Sequence, residues 1–109
     1  MAYEISFTKR FKKNVEQCRK QGLQMDRLKT ALDILIETGS LPKEYRPHKL
    51  SGNLDSQWEC HIQGDWLMTW EQNDNELTLL MLATGSHSDC LVKTENSSVS
   101  FNKTKAIFL

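Results

Sequence analysis

Apolar and polar residues alternate along Tyr3-Glu4-Ile5-Ser6-Phe7, the period of a half-buried strand. The period then lengthens. Phe11, Val15 and Cys18 recur at spacings of four and three, which puts them on one stripe of a helix, with Thr8 as its N-cap and an end near Gly22. A second stripe of Met25, Leu28, Ala31, Leu32, Leu35 and Ile36 predicts a helix from Met25 to Glu37, stopped by Gly39. The short spacer from Lys20 to Gln24 turns the two helices into an antiparallel hairpin. Residues 40–55 hold both prolines, Pro42 and Pro47, together with Gly52 and Asn53, and read as a loop.

Beyond that loop the period returns to two. Trp58, Cys60 and Ile62 alternate with Glu59, His61 and Gln63; Trp66, Met68 and Trp70 alternate with Leu67, Thr69 and Glu71; Leu77, Leu79 and Met81 alternate with Thr78, Leu80 and Leu82. Gly64-Asp65 and Asn73-Asp74-Asn75 supply the turn chemistry between them. Three strands with short turns form an antiparallel meander, and the helical hairpin can carry Tyr3–Phe7 to its edge. The predicted fold is therefore α+β in the order βααβββ, a two-helix hairpin packed on a small, mainly antiparallel sheet. Residues 1–91 make that domain, and residues 92–109, rich in Ser, Asn and Lys without a sustained period, predict a poorly packed tail.

Composition agrees with one ordinary globular domain: 109 residues, 39% hydrophobic and 26% charged. The 14 basic residues cancel the 14 acidic ones, but the cancellation is not local. Residues 1–30 carry eight basic side chains against three acidic, whereas residues 51–90 carry seven acids and no Lys or Arg. Neutrality thus hides a charge dipole, and it does not exclude a polyanionic partner. The three cysteines, Cys18, Cys60 and Cys90, are odd in number and widely spaced, as in free thiols of a reducing compartment. No secretory leader or membrane-length apolar run is present, so the expected location is the cytoplasm, without membrane attachment.

Three histidines mark element boundaries: His48 in the proline-flanked loop, His61 late in its strand, His87 after the last strand. Alternation directs His61 to the face opposite Trp58 and Cys60. Imidazole accepts and returns a proton near neutral pH, and histidines with a carboxylate suffice to cleave RNA by its own 2′-hydroxyl. Strand tryptophans are ordinarily packing residues, and that is the first reading of Trp58, Trp66 and Trp70. No zinc-type spacing of His and Cys occurs.

Four motifs then stand in order: Tyr45-Arg46-Pro47-His48-Lys49-Leu50-Ser51-Gly52, Trp58-Glu59-Cys60-His61-Ile62, Asp65-Trp66, and Thr84-Gly85-Ser86-His87-Ser88-Asp89. Together they resemble the YafQ branch of the RelE/ParE toxin superfamily, over about residues 3–91. The resemblance implies a RelE-like fold and a bacterial type II toxin that enters the ribosomal A site and cuts mRNA. It implies no metal and no cofactor, a monomer when alone, and a hetero-oligomer with a cognate antitoxin. His48, His61, Asp65 and His87 fall at the family's catalytic positions, His87 leading as acid or base, His48 and His61 moving protons and steadying the phosphate, Asp65 orienting or sharing a proton. The distribution of acid and base roles among the histidines stays open. Arg46, Lys49, Trp66 and Leu91 are the implied substrate contacts.

The chain also departs from that pattern. Gly64 stands where the family commonly has proline, Leu54-Asp55-Ser56-Gln57 replaces a more aromatic and basic stretch, and Leu91 replaces a closing aromatic and is followed by eighteen residues. These departures keep two alternatives in view: a catalytically weakened homologue that only binds antitoxin, and a ParE-like gyrase inhibitor.

Overall fold

The computed structural model describes residues 2–50 and 57–86. Five strands form one mixed sheet in the order β1-β5-β4-β3-β2. They are β1 (Glu4–Phe7), β2 (His48–Lys49), β3 (Gln57–Gln63), β4 (Trp66–Asn73) and β5 (Thr78–Gly85), with helices α1 (Lys9–Lys20) and α2 (Met25–Thr38) between β1 and β2. β1 runs parallel to β5, and every other pair is antiparallel. The α+β architecture, the meander and the return of the first strand to its edge follow the sequence expectation. The stretch expected to be a loop is more ordered than that: it holds a 3₁₀ turn at Lys43–Tyr45 and the strand β2. Two residues are too few to display a period, and β2 exists only because His48 and Lys49 find Glu59 and Trp58 across the ladder. The expected tail, residues 92–109, lies outside the described residues.

Helix α1 starts as the sequence predicts. The Thr8 hydroxyl oxygen accepts from the Phe11 N–H at 3.0 Å, and the same hydroxyl donates to the Leu82 carbonyl of β5 at 3.1 Å. One side chain thus caps the helix and ties its first turn to the sheet. Phe11, Val15 and Cys18 from α1 and Leu28, Ala31, Leu32 and Leu35 from α2 are buried against Ile5, Phe7, Cys60, Met68, Trp70, Leu79 and Met81. Each large side chain in that layer contributes about 1.5–3 kcal/mol of burial, and the helical stripes supply most of one half. Helix α2 ends at Gly39 in a left-handed conformation, φ 75°, with its N–H on the Leu35 carbonyl. A Cβ there would also run into the Tyr3 ring, so both backbone and space require glycine.

At the end of the sheet away from the β3–β4 turn, the Tyr3 hydroxyl donates to Asp74 Oδ1 at 2.7 Å. The Gln72 amide donates to the same oxygen and to the Gly39 carbonyl, both at 2.8 Å. The bond to Asp74 raises the Tyr3 hydroxyl above its ordinary pKa, and the donors Gln72 and Tyr3 hold the Asp74 carboxyl below the usual range. Among the described residues no helix is long and apolar enough to cross a membrane.

Candidate active site

Two faces of the sheet differ in chemistry. Along β3, Cys60 and Ile62 are buried in the helix-covered core with Trp58 packed against it, which turns Glu59 and His61 to the opposite face. Strand β2 obeys the same alternation: His48 pairs with Glu59 and Lys49 with Trp58. On β4 and β5 this second face carries Leu67 and Ala83, a small buried cluster of their own, with Thr69 opposite Ala83. His48, Glu59, Thr69 and Ala83 therefore form one row across four strands, and His61, Leu67 and Gly85 form the next.

The His48 ring is held at both nitrogens. Nδ1 lies 3.0 Å from the Arg46 carbonyl and Nε2 lies 3.1 Å from Glu59 Oε1. A carbonyl cannot donate, so Nδ1 carries the proton of that bond, and Nε2 faces the carboxylate. Glu59 is shielded, with its side chain 19% exposed, whereas that of His48 is 48% exposed. Arg46 reaches its position through a left-handed backbone, φ 50°, at the end of the 3₁₀ turn.

His61 is held differently. Its Nδ1 lies 3.3 Å from the Gly64 carbonyl, and Nε2 has no partner among the described residues. The protonated Nδ1 therefore leaves a lone pair on Nε2. Just past His61 the β3–β4 ladder shifts register, skipping Ile62, an irregularity of the kind that re-aims side chains beside a site. Gly64 and Asp65 then form a two-residue turn between Gln63 and Trp66. The positive φ of 55° falls on Gly64, and Asp65 is exposed. Counted on an antiparallel ladder, His61 is the diagonal neighbour of His48, roughly 7–8 Å away.

Of the sequence-predicted site residues, His48 and His61 share this face, and Asp65 stands in the turn whose carbonyl fixes His61. Lys49 does not join them. It turns to the other side, its Nζ 5.9 Å from the centroid of Trp58, which is itself stacked on Trp70. Trp66 is 4% exposed and its indole N–H donates to the Thr84 hydroxyl at 3.0 Å, so it packs in the core, as the first reading of the strand tryptophans expects. Arg46 contributes a backbone carbonyl to His48. His87 and Leu91 lie outside the described residues. Glu59 went unremarked in the sequence, although its place beside His61 on the outer side of β3 was readable from alternation alone.

The charge dipole is spatial as well as sequential. α1 presents Lys9, Arg10, Lys13, Arg19 and Lys20 to solvent on the helical layer, while described residues 57–86 include Glu59, Asp65 and Glu71 and no Lys or Arg. Among the described residues no group of three or more His, Cys, Asp or Glu is placed to hold a metal ion.

Residues 3–92 match the family profile described as bacterial toxin of type II toxin–antitoxin system, YafQ. The chain belongs to the YafQ toxin family. Within that family it is 28% identical over 86 residues to the mRNA interferase toxin YafQ of Escherichia coli strain K12, covering 78% of this chain and 91% of that one. Among solved structures it is similar to the E. coli DinJ–YafQ toxin–antitoxin complex, at TM-score 0.76 and 25% identity, over 84% of this chain and 100% of the other. It is also similar to a metal-bound toxin from Helicobacter pylori, at TM-score 0.73 and 30% identity, over 84% and 100%. The family match spans both helices and all five strands.

Proposed function

We propose that the chain is a ribosome-dependent mRNA endoribonuclease of a type II toxin–antitoxin pair, cleaving by attack of the RNA 2′-hydroxyl, with acid and base supplied by histidine. The observation that carries this reading is the unequal holding of two histidines on one sheet face. His61 Nε2 has no partner among the described residues, while His48 is held at both nitrogens. A phosphodiester between them would meet one imidazole open at Nε2 and another fixed in orientation. The 2′-oxygen loses its proton as it bonds to phosphorus, and the departing 5′-oxygen gains one, leaving a 2′,3′-cyclic phosphate and a 5′-hydroxyl. His87 joins as a further acid or base by family position, Asp65 steadies the turn that holds His61, and no metal enters the step. The basic surface of α1 gives ribosomal RNA a contact remote from the acidic face, and a cognate antitoxin holds the toxin in a hetero-oligomer, the free toxin being a monomer.

The test is cleavage of a defined mRNA on purified ribosomes, with and without chelator. The expected result is a cut in the A-site codon, cyclic-phosphate ends, indifference to chelator, and a loss on the order of 10²–10⁴ for His61→Ala. An intact message with the unaltered protein overturns the proposal, and inhibition of DNA gyrase in a supercoiling assay would replace it with the gyrase reading. The acidic side chains of the histidine face favour a slower enzyme than a basic site would give; intact message with antitoxin binding retained would mark the chain as a weakened homologue.

A further inference from the structure

Glu59 has a place that the nuclease reading leaves unused. It faces His48 directly across the β2–β3 ladder, Thr69 on the other side, and precedes His61 by one full strand repeat on the same face. Its carboxylate is about four-fifths covered, and its hydrogen bond among the described residues is to His48. β2 is a two-residue edge strand, so little besides this bond and the Arg46 carbonyl fixes the imidazole of His48.

We propose that Glu59 is a positioning residue for His48, resting on the nuclease reading above: it clamps the ring from Nε2, opposite the Arg46 carbonyl at Nδ1, and so fixes the orientation in which His48 meets the phosphodiester. The geometry has a stated logic. A carbonyl at Nδ1 and a carboxylate at Nε2 hold the His48 ring at both edges. His61, bonded to the Gly64 carbonyl, has no second holder among the described residues. The arrangement breaks the equivalence of two histidines that a phosphate alone would not distinguish. The other ionisable groups about this row are Glu71, which pairs with Gln57 on the next row of β4, and Arg46, whose residue precedes β2; Lys49 turns to the opposite face. A phosphate arriving on this face would meet a His48 ring that Glu59 and the Arg46 carbonyl already hold.

Three measurements on the full chain test this. The first is a comparison by proton NMR of the histidine ring signals in the unaltered protein and in Glu59→Gln, a near-isosteric change that keeps an acceptor and removes the charge. The expected result is a shift or broadening of the His48 ring signals in Glu59→Gln with those of His61 unmoved. The second is ribosome-bound mRNA cleavage, in which Glu59→Gln loses about tenfold and Glu59→Ala up to about a hundredfold, within the range of a displaced acid. The third is the double variant His48→Ala/Glu59→Gln, which should be no slower than His48→Ala, because a positioning residue has nothing left to position. If His48→Ala cleaves normally, the assigned role of His48 in the nuclease reading fails. If His48→Ala is impaired while Glu59→Gln cleaves like the unaltered protein and leaves the His48 ring signals in place, the nuclease reading stands and the positioning proposal is overturned. Additive losses in the double variant also overturn it.

Discussion

Tyr3 and Asp74 are joined by a 2.7 Å hydrogen bond across 71 positions of the chain, from the threshold of β1 to the β4–β5 turn. The carboxylate is the acceptor of two donors, and the signs of the two pKa displacements define when the link holds. Asp74 is lowered, so its contribution is full above the ordinary carboxylate range and fades as the pH falls through its folded value. Tyr3 is raised, so its contribution is full below the ordinary tyrosine range and fades as the pH rises through its folded value. Thermal melts taken from about pH 6 down to pH 2 should therefore show a shallower decline for Asp74→Asn than for the unaltered protein. Equal acid slopes would remove Asp74 from the balance.

Gly64→Pro separates two ways of building the turn below His61. With φ at 55°, the turn rejects proline, whose ring fixes φ near −65°, and this exchange should cost about 3 kcal/mol. Gly64→Asn, which tolerates the left-handed region, should cost less than about 1 kcal/mol, since a Cβ at this position meets nothing within 4 Å. Urea unfolding of the two variants side by side checks the contrast, and only the proline variant should also move the His61 resonances.

Trp66→Phe tests whether this ring serves the core or the substrate. Losing the indole donor to Thr84 removes a buried hydrogen bond and leaves a small void, together about 1–3 kcal/mol of stability. The Thr84 hydroxyl keeps its own bond to the Leu67 carbonyl at 2.8 Å, which limits the damage. Well below the melting temperature the cleavage rate should match that of the unaltered protein. A raised KM with unchanged stability would reverse the assignment.

Lys49→Ala is expected to spare cleavage, because its ammonium lies over Trp58 on the helix-covered side. The loss should be about 0.5–1 kcal/mol of stability. Arg46 needs a different exchange: Arg46→Asn suits the left-handed backbone and keeps the carbonyl for His48, so any lowered ribosome affinity reports the guanidinium alone. Affinity measured against salt should show a slope shallower by about one for each phosphate that the guanidinium no longer neutralises.

The larger elements were legible because each had a long enough period or a distinctive stop. Thr8 and Gly39 announced the ends of the helices by their chemistry, and both perform the expected capping. Strand β2 was not legible, since two residues between a 3₁₀ turn and the loop show no alternation. Half of the candidate site depended on it. Without β2 the side of the sheet that His48 shares with His61, and the partnership with Glu59, had no sequence signal. Trp66 shows the opposite case: alternation along its strand already assigned it to packing, only the family resemblance lent it a substrate role, and its burial against Thr84 agrees with the alternation.

The parallel pairing of β1 with β5 also sets an order of events during synthesis. Glu4 to Phe7 are made before both helices and the strands β2 to β4, yet their ladder partners, Thr78 to Met81, come after all of these. The first strand must wait, unpaired, while both helices and the remaining strands emerge, and a contact of such long sequence separation closes late. The sheet is thus complete only once β5 has been made, and a nascent chain still short of that strand lacks the partner that holds β1 in place.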